Sequence, residues 1–171
     1  EEWFDKVIIT TGGNPKKSGY QWLADLGHSI QEPVPSLFTF NMPGESIKLL
    51  MGLVVQNTTV KVQGTKLKQE GPLLITHWGM SGPAILKTSA WGAQELSKVN
   101  YQFNIQVNWC GQKSEHQIRD EIESQQSVFP KKKMLNKRLF NLPSRLWDFL
   151  LHKISLRPDI TWGELGSKGV N

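Results

Sequence analysis

Tyr101-Gln102-Phe103-Asn104-Ile105-Gln106-Val107-Asn108-Trp109 alternates without a break. Tyr, Phe, Ile, Val and Trp fall on one side of an extended chain, and Gln, Asn, Gln and Asn on the other. Successive side chains of a strand point to opposite faces, so this stretch predicts an antiparallel strand with one face buried and one wet. Upstream, 37–42, 47–56, 59–63 and 73–77 also read as strands, with turn sites at Asn57-Thr58 and Gln63-Gly64. Several short strands separated by turns favour a small barrel or sandwich.

The run Thr76-His77-Trp78-Gly79-Met80-Ser81-Gly82-Pro83-Ala84-Ile85-Leu86 interrupts the strands. Its spacing predicts a strand end, a tight turn and a helix, with Ser81 as N-cap, Pro83 in the first turn, and Ile85, Leu86, Ser89 and Ala90 on the helix. Trp91-Gly92 is a kink or stop. Beyond Gly111 the pattern is helical. Ser114 can cap a helix through Gln126, with Ile118 and Ile122 on one side. Pro143 opens another, whose apolar face is Leu146, Phe149, Leu150 and Ile154. Thr161-Trp162-Gly163-Glu164 has capping-box spacing.

At the other end, 6–10 reads as a buried strand broken by Gly12-Gly13-Asn14-Pro15. A helix from Ser18 to Leu26, stopped by Gly27, follows, and then an extended crossover from His28 to Pro35. The chain therefore divides into 1–36, 37–113 and 114–171.

Composition bounds the function. A length of 171 residues with 38% apolar and 20% charged residues suits one or two folded domains. The lone Cys110 excludes an internal disulfide and suits a reducing compartment, so a cytoplasmic location is expected. No apolar run is long enough to span a bilayer, so no membrane partner is expected. The first residues lack the character of a signal peptide, and the missing initial Met predicts a start inside a longer chain. Net charge is +5 and evenly spread, with ten Lys/Arg against eight Asp/Glu in 1–113 and ten against seven in 114–171. That balance does not by itself point to nucleic acid. His28, His77, His116 and His152 have no metal-ligand spacing, so no metal is expected. No Ser or Cys stands in a nucleophile motif, and the catalytic residues are unassigned.

One ordered set of motifs resembles a known family. Thr11-Gly12-Gly13, Gly19-Tyr20, Leu26-Gly27-His28, Pro33-Val34-Pro35-Ser36-Leu37, Gly71-Pro72-Leu73-Leu74-Ile75-Thr76-His77 and Gly79-Met80-Ser81-Gly82-Pro83-Ala84 occur in the order found in the HI0933-like, BaiN-type NAD(P)/FAD-dependent oxidoreductases. Thr10 stands where that family has Ala, and Asn14 to Ser18 replaces a longer loop. The resemblance covers 7–37 and 71–92 best. It implies a Rossmann-like FAD domain interrupted by a six-stranded, translation-protein-like barrel and a small helical bundle. The implied fold class is α+β: a small antiparallel β-barrel plus a helical bundle, with residues 1–36 a strand-turn-helix remnant of the FAD domain.

The implied function is the middle, or insert, region of a flavoprotein oxidoreductase, covering the FAD and shaping the substrate pocket of the intact enzyme. Its partners would be the flanking FAD-domain halves of the same polypeptide. Thr11, Gly12 and Gly13 are the candidate cofactor-approach residues, since glycines let backbone N–H groups come close to a ligand. His77, Gly79, Ser81 and Gly82 are the candidate flavin- and substrate-facing loop. Plain alternatives are a simple turn at Gly12-Gly13 and a buried packing turn at His77. FAD belongs to the intact parent, with NAD(P)H as reductant. It is not expected on these 171 residues, which lack the Gly-x-Gly-x-x-Gly fingerprint. The chain alone is expected to be inactive. Lys131-Lys132-Lys133 and Lys137-Arg138 read first as a solvated face, and a nucleic-acid-binding barrel and bundle module is the alternative function.

Overall fold

The computed structural model describes residues 2–166, and the last five residues of the 114–171 segment lie outside them. The chain forms two compact units, 1–35 and 36–171.

In the first unit a 3-10 turn, Lys17–Tyr20, runs into helix α1, Gln21–Asp25. Gly27, at φ 89°, ends the helix by donating to Ala24 O. This is the stop its sequence announces. The strand expected at 6–10 is absent: these residues pair with nothing among the described ones, and Val7 and Ile8 are largely exposed. The physical reason is plain, because a lone apolar segment has no ladder partner here and cannot satisfy its backbone as a strand.

Among its described residues the second unit is built on five antiparallel strands: β1 Phe40–Asn41, β2 Val54–Val62, β3 Lys68–Ile75, β4 Gly79–Ser81 and β5 Ile105–Asn108. Their spatial order is β1-β4-β3-β2-β5. The resemblance implies six strands; five are seen among the described residues, as a curled half-barrel. Its two edges meet through side chains rather than a ladder. Phe40 on β1 packs edge-on against Phe103, just before β5, at 5.0 Å between ring centroids. Phe38 does the same with Tyr101 at 5.4 Å. Such pairs add about 0.5–1.5 kcal/mol each beyond burial.

Phe103, Ile105, Val107 and Trp109 turn inward and Gln102, Asn104 and Gln106 are exposed, but the strand expected over 101–109 is only Ile105–Asn108, because Tyr101, at φ 58°, still belongs to the turn after α3, Ala93–Lys98. The other strand expectations are corrected too: 37–42 shortens to Phe40–Asn41, with Leu37 at φ 56°. The segment 46–50 is a 3-10 turn, Ser46–Leu50, that buries Ile47 and Leu50. Asn57-Thr58 is no turn: β2 runs straight through it with a register shift between Val55 and Thr58. An extra residue there bends the strand, which is how a bulge helps a sheet curl. The Thr58 and Thr59 hydroxyls, both buried, donate to Gly71 O and Gly111 O at 2.8 Å.

Helix α2, Pro83–Trp91, and helix α3, Ala93–Lys98, meet at Gly92, where Trp91-Gly92 suggested a break. The N-cap of α2 is Gly82, not Ser81, because Ser81 is held in β4 opposite Leu74. Helix α4, Glu115–Val128, opens on a full capping box: Gln117 N–H donates to Ser114 Oγ, and Ser114 N–H to the Gln117 side chain. Ser114→Ala is expected to cost about 1 kcal/mol, read as a lower urea midpoint with unchanged slope.

Helix α5, Ser144–Lys153, buries Leu146, Trp147 and Leu151. The expected face is thus rotated, and Ile154 is exposed. Thr161 and Glu164 close the second capping box around the 3-10 turn Trp162–Glu164. Thr161, by its N–H and hydroxyl, and then Arg157 hold the Glu164 carboxyl below its usual range. Its contribution to stability is therefore present above the ordinary carboxylate range and fades as pH falls through the depressed value. One continuous apolar cluster runs from Phe40, Val60, Leu73 and Ile85 to Leu146, Trp147 and Trp162.

Candidate functional site

β3 ends at Ile75 and β4 begins at Gly79, leaving Thr76, His77 and Trp78 as the hairpin tip. Thr76 N–H donates to Gly79 O at 2.9 Å, and Gly79 N–H to Thr76 Oγ1 at 3.1 Å. The tip is fixed at its flank: Trp78 Nε1 donates to Thr39 Oγ1 at 3.2 Å, and Met42 N–H to Trp78 O at 2.8 Å. His77 stacks edge-on against Trp78 at 4.4 Å. Both rings are exposed, and His77 makes no hydrogen bond among the described residues. Gly52 N–H donates to Ile75 O at 2.9 Å, which ties the backbone beside exposed Met51 to the end of β3. The tip is a half-apolar surface carrying one exposed imidazole.

Gly79, Ser81 and Gly82 run from this tip into α2. A Cβ at Gly79 would lie 2.2 Å from Phe40 O. One at Gly82, where φ is 94°, would lie 2.9 Å from Pro72 O and 3.0 Å from Leu74 N. Both glycines let backbones touch. Ser81 is half-buried within the sheet. Of the four candidate loop residues, His77 alone therefore presents a free side chain at the tip. Sequence reasoning passed over Trp78 and Thr39. The only signal for them was an indole placed in a turn between His77 and Gly79.

Thr11, Gly12 and Gly13 are exposed, Gly12 at φ 75°. A Cβ at Gly12 would meet nothing within 4 Å, so its backbone is open to approach. Next to them Asn14 N–H donates to the Tyr20 hydroxyl and Lys16 N–H to Asn14 Oδ1, which folds the loop onto itself. As a test of fit for FAD, this arrangement fails by itself. A pyrophosphate site needs a strand, a glycine turn and a helix N-terminus in sequence, and here no strand precedes the glycines, while a 3-10 turn, Lys17–Tyr20, separates them from the five-residue helix α1.

Cys110 is partly buried. Burial first, then the Glu121 carboxylate, push its thiol up to about 11, against a smaller opposing pull from Lys113. The thiolate is the reactive form, so alkylation at pH 8 is expected to run about a hundredfold slower in the folded chain than in urea, measured by mass spectrometry with iodoacetamide. Equal rates would place the sulfur in solvent. Among the described residues, no cluster of three His, Cys, Asp or Glu could hold a metal, and no helix is long and apolar enough to cross a membrane.

Comparison with known proteins gives two matches. The chain is 25% identical over 171 residues to the ribosomal RNA dihydrouridine synthase of Escherichia coli (strain K12). That alignment takes in 94% of this chain and 39% of that protein, so the chain spans well under half of its relative's length. The model of the HI0933-like protein barrel and H2TH domain matches residues 34–171, the region that holds the half-barrel, the hairpin and helices α4 and α5. The chain belongs to the HI0933-like family, as its barrel and H2TH domain.

Proposed function

We propose that this chain is the insert region of an FAD-dependent, NAD(P)H-using oxidoreductase and covers the flavin with the tip of its β3–β4 hairpin. The observation that carries the reading is the family match over 34–171, together with a relative more than twice as long as the chain. In this reading the flavin is held by flanking segments of the same polypeptide; separately, the open backbone at Gly12 makes Thr11, Gly12 and Gly13 the proposed point of cofactor approach in the first unit. When bound, it supplies the hydride chemistry. What this chain contributes is local: Trp78 and Met51 exclude water above the ring, His77 holds or releases a proton beside it, and the Gly79 and Gly82 contacts keep the tip rigid. A single, mostly protonated thiol at Cys110 suits the cytoplasm.

The test is stopped-flow reduction of the full-length protein by NAD(P)H in His77→Ala and Trp78→Ala. Rates at least about tenfold below the parent at unchanged flavin content are expected. Unchanged rates in both variants would remove the hairpin from the ring.

A second reading concerns the substrate. The relative's name states an action on ribosomal RNA. We infer that a base in structured RNA is the group this flavoprotein reduces, and formation of dihydrouridine in protein-free ribosomal RNA is the readout.

A further inference from the structure

Between Glu123 and Asp148 the chain carries Lys131, Lys132, Lys133, Lys137, Arg138 and Arg145 and no acidic residue. The first five occupy the loop between α4 and α5, and all are exposed. None of the five makes an ion pair among the described residues, whereas Lys113, Arg119, Lys153 and Arg157 all do.

The loop is not a loose solvated tether. Its backbone is fastened from beneath by two buried indoles. Trp147 Nε1 donates to Met134 O at 2.8 Å, and Trp162 Nε1 to Lys137 O at 3.2 Å. Trp162 N–H donates to Lys132 O, and Gly163 N–H to Pro130 O. Lys133 bridges Thr161, and Met134 N–H reaches Ile160 O. The Lys137 ammonium rests 4.6 Å above the Phe129 ring. Inward go Met134 and, in part, Leu135 and Leu139; outward go the cations. Five like charges held apart on a fixed backbone repel one another, and folding tolerates that at a surface where a polyanion can settle.

We propose that this loop is a preformed cationic cradle for the phosphate backbone of structured RNA, and that it holds the substrate while the hairpin end meets the base. The proposal rests on the reading of RNA as substrate. RNA fits better than an anionic membrane, because the loop shows no exposed large apolar side chain to enter a bilayer interface. It is also rigid, and so suits phosphates at fixed spacing.

The experiment is binding of protein-free ribosomal RNA by the full-length protein over a range of salt. The test variants are K131Q/K132Q/K133Q and the same with K137Q/R138Q. A control, K61Q/K66Q/K98Q, removes three exposed charges from the barrel side. The five-fold variant is expected to bind at least about tenfold more weakly at moderate salt, with the slope of log K against log salt reduced by about 2–4, and the control by much less. Unchanged flavin content and circular dichroism show that the variants fold. Equal losses in loop and control variants would reduce the effect to net charge and overturn the proposal. RNA binding that ignores all loop changes would overturn the cradle alone, leaving the RNA-substrate reading intact. A parent protein with no RNA affinity would overturn both. Loop-dependent sedimentation with vesicles of equal phosphatidylglycerol and phosphatidylcholine, without RNA binding, would move the patch to a membrane and overturn the proposal as well.

Discussion

Trp162→Ala is expected to destabilise the chain by about 3–5 kcal/mol, one of the largest effects available to a single substitution here. Trp162 is fully buried, and its ring lies against Trp147 at 6.1 Å between centroids. Removing the indole empties the middle of the helical half and leaves Lys137 O without its donor. In thermal unfolding the midpoint should fall by about 10 °C or more for a domain of this size. Trp162→Phe separates the two contributions. It keeps most of the apolar area but loses the hydrogen bond and part of the ring volume, so about 1–3 kcal/mol is expected. A midpoint shift of only a degree or two for Trp162→Ala would mean that the ring is not central to the core.

Gly79→Ala is the second. The added methyl would sit 2.2 Å from Phe40 O and 3.0 Å from Met42 N, both backbone atoms of β1 or its end. Neither can swing aside as a side chain would. β1 must part from β4, and the Phe40 to Met80 register goes with it. A cost at or above the roughly 1–3 kcal/mol of ordinary overpacking is expected. Gly64→Ala makes the contrast. Gly64 has φ 76° in the β2–β3 turn and open space around it, so only the conformational penalty of about 1 kcal/mol applies. Urea unfolding of both variants side by side checks the ranking, and the reverse order would contradict the close approach at Gly79. The same substitution bears on function, because it loosens the hairpin that presents His77 and Trp78.

Much of this architecture was legible where a pattern is local. The inward and outward sides of 103–107, the break at Gly92, the stop at Gly27, the Ser114 cap and the Thr161–Glu164 capping box depend on residues a few positions apart, and each appears where its chemistry puts it; the strand itself is shorter than the alternation, Ile105–Asn108. Long-range contacts were not legible. Asn57-Thr58 looks like a turn because both residues are polar, yet the Thr58 hydroxyl is satisfied by Gly71 O across the sheet. Ser81 is a better N-cap than Gly by chemistry, but pairing with Leu74 takes it into β4. The strand expected at 6–10 has the right residues and lacks a neighbour to pair with. At the candidate site, His77 could be singled out from its motif, whereas its neighbours could not: Trp78 is fixed by Thr39, 39 residues upstream. The basic loop reads as solvated from its sequence and its five cations are exposed; its anchoring by Trp147 and Trp162 is a tertiary fact that the sequence does not show.

In the proposed reading the β3–β4 hairpin covers a planar ring and the cationic loop takes phosphate. The most direct measurement of the central claim is the visible absorption spectrum of the full-length protein, recorded beside these 171 residues alone and again after NAD(P)H is added without oxygen. A yellow full-length protein whose flavin bands bleach with the reductant, and a colourless isolated chain, are expected. A full-length protein that is colourless and takes up no added FAD would contradict that claim.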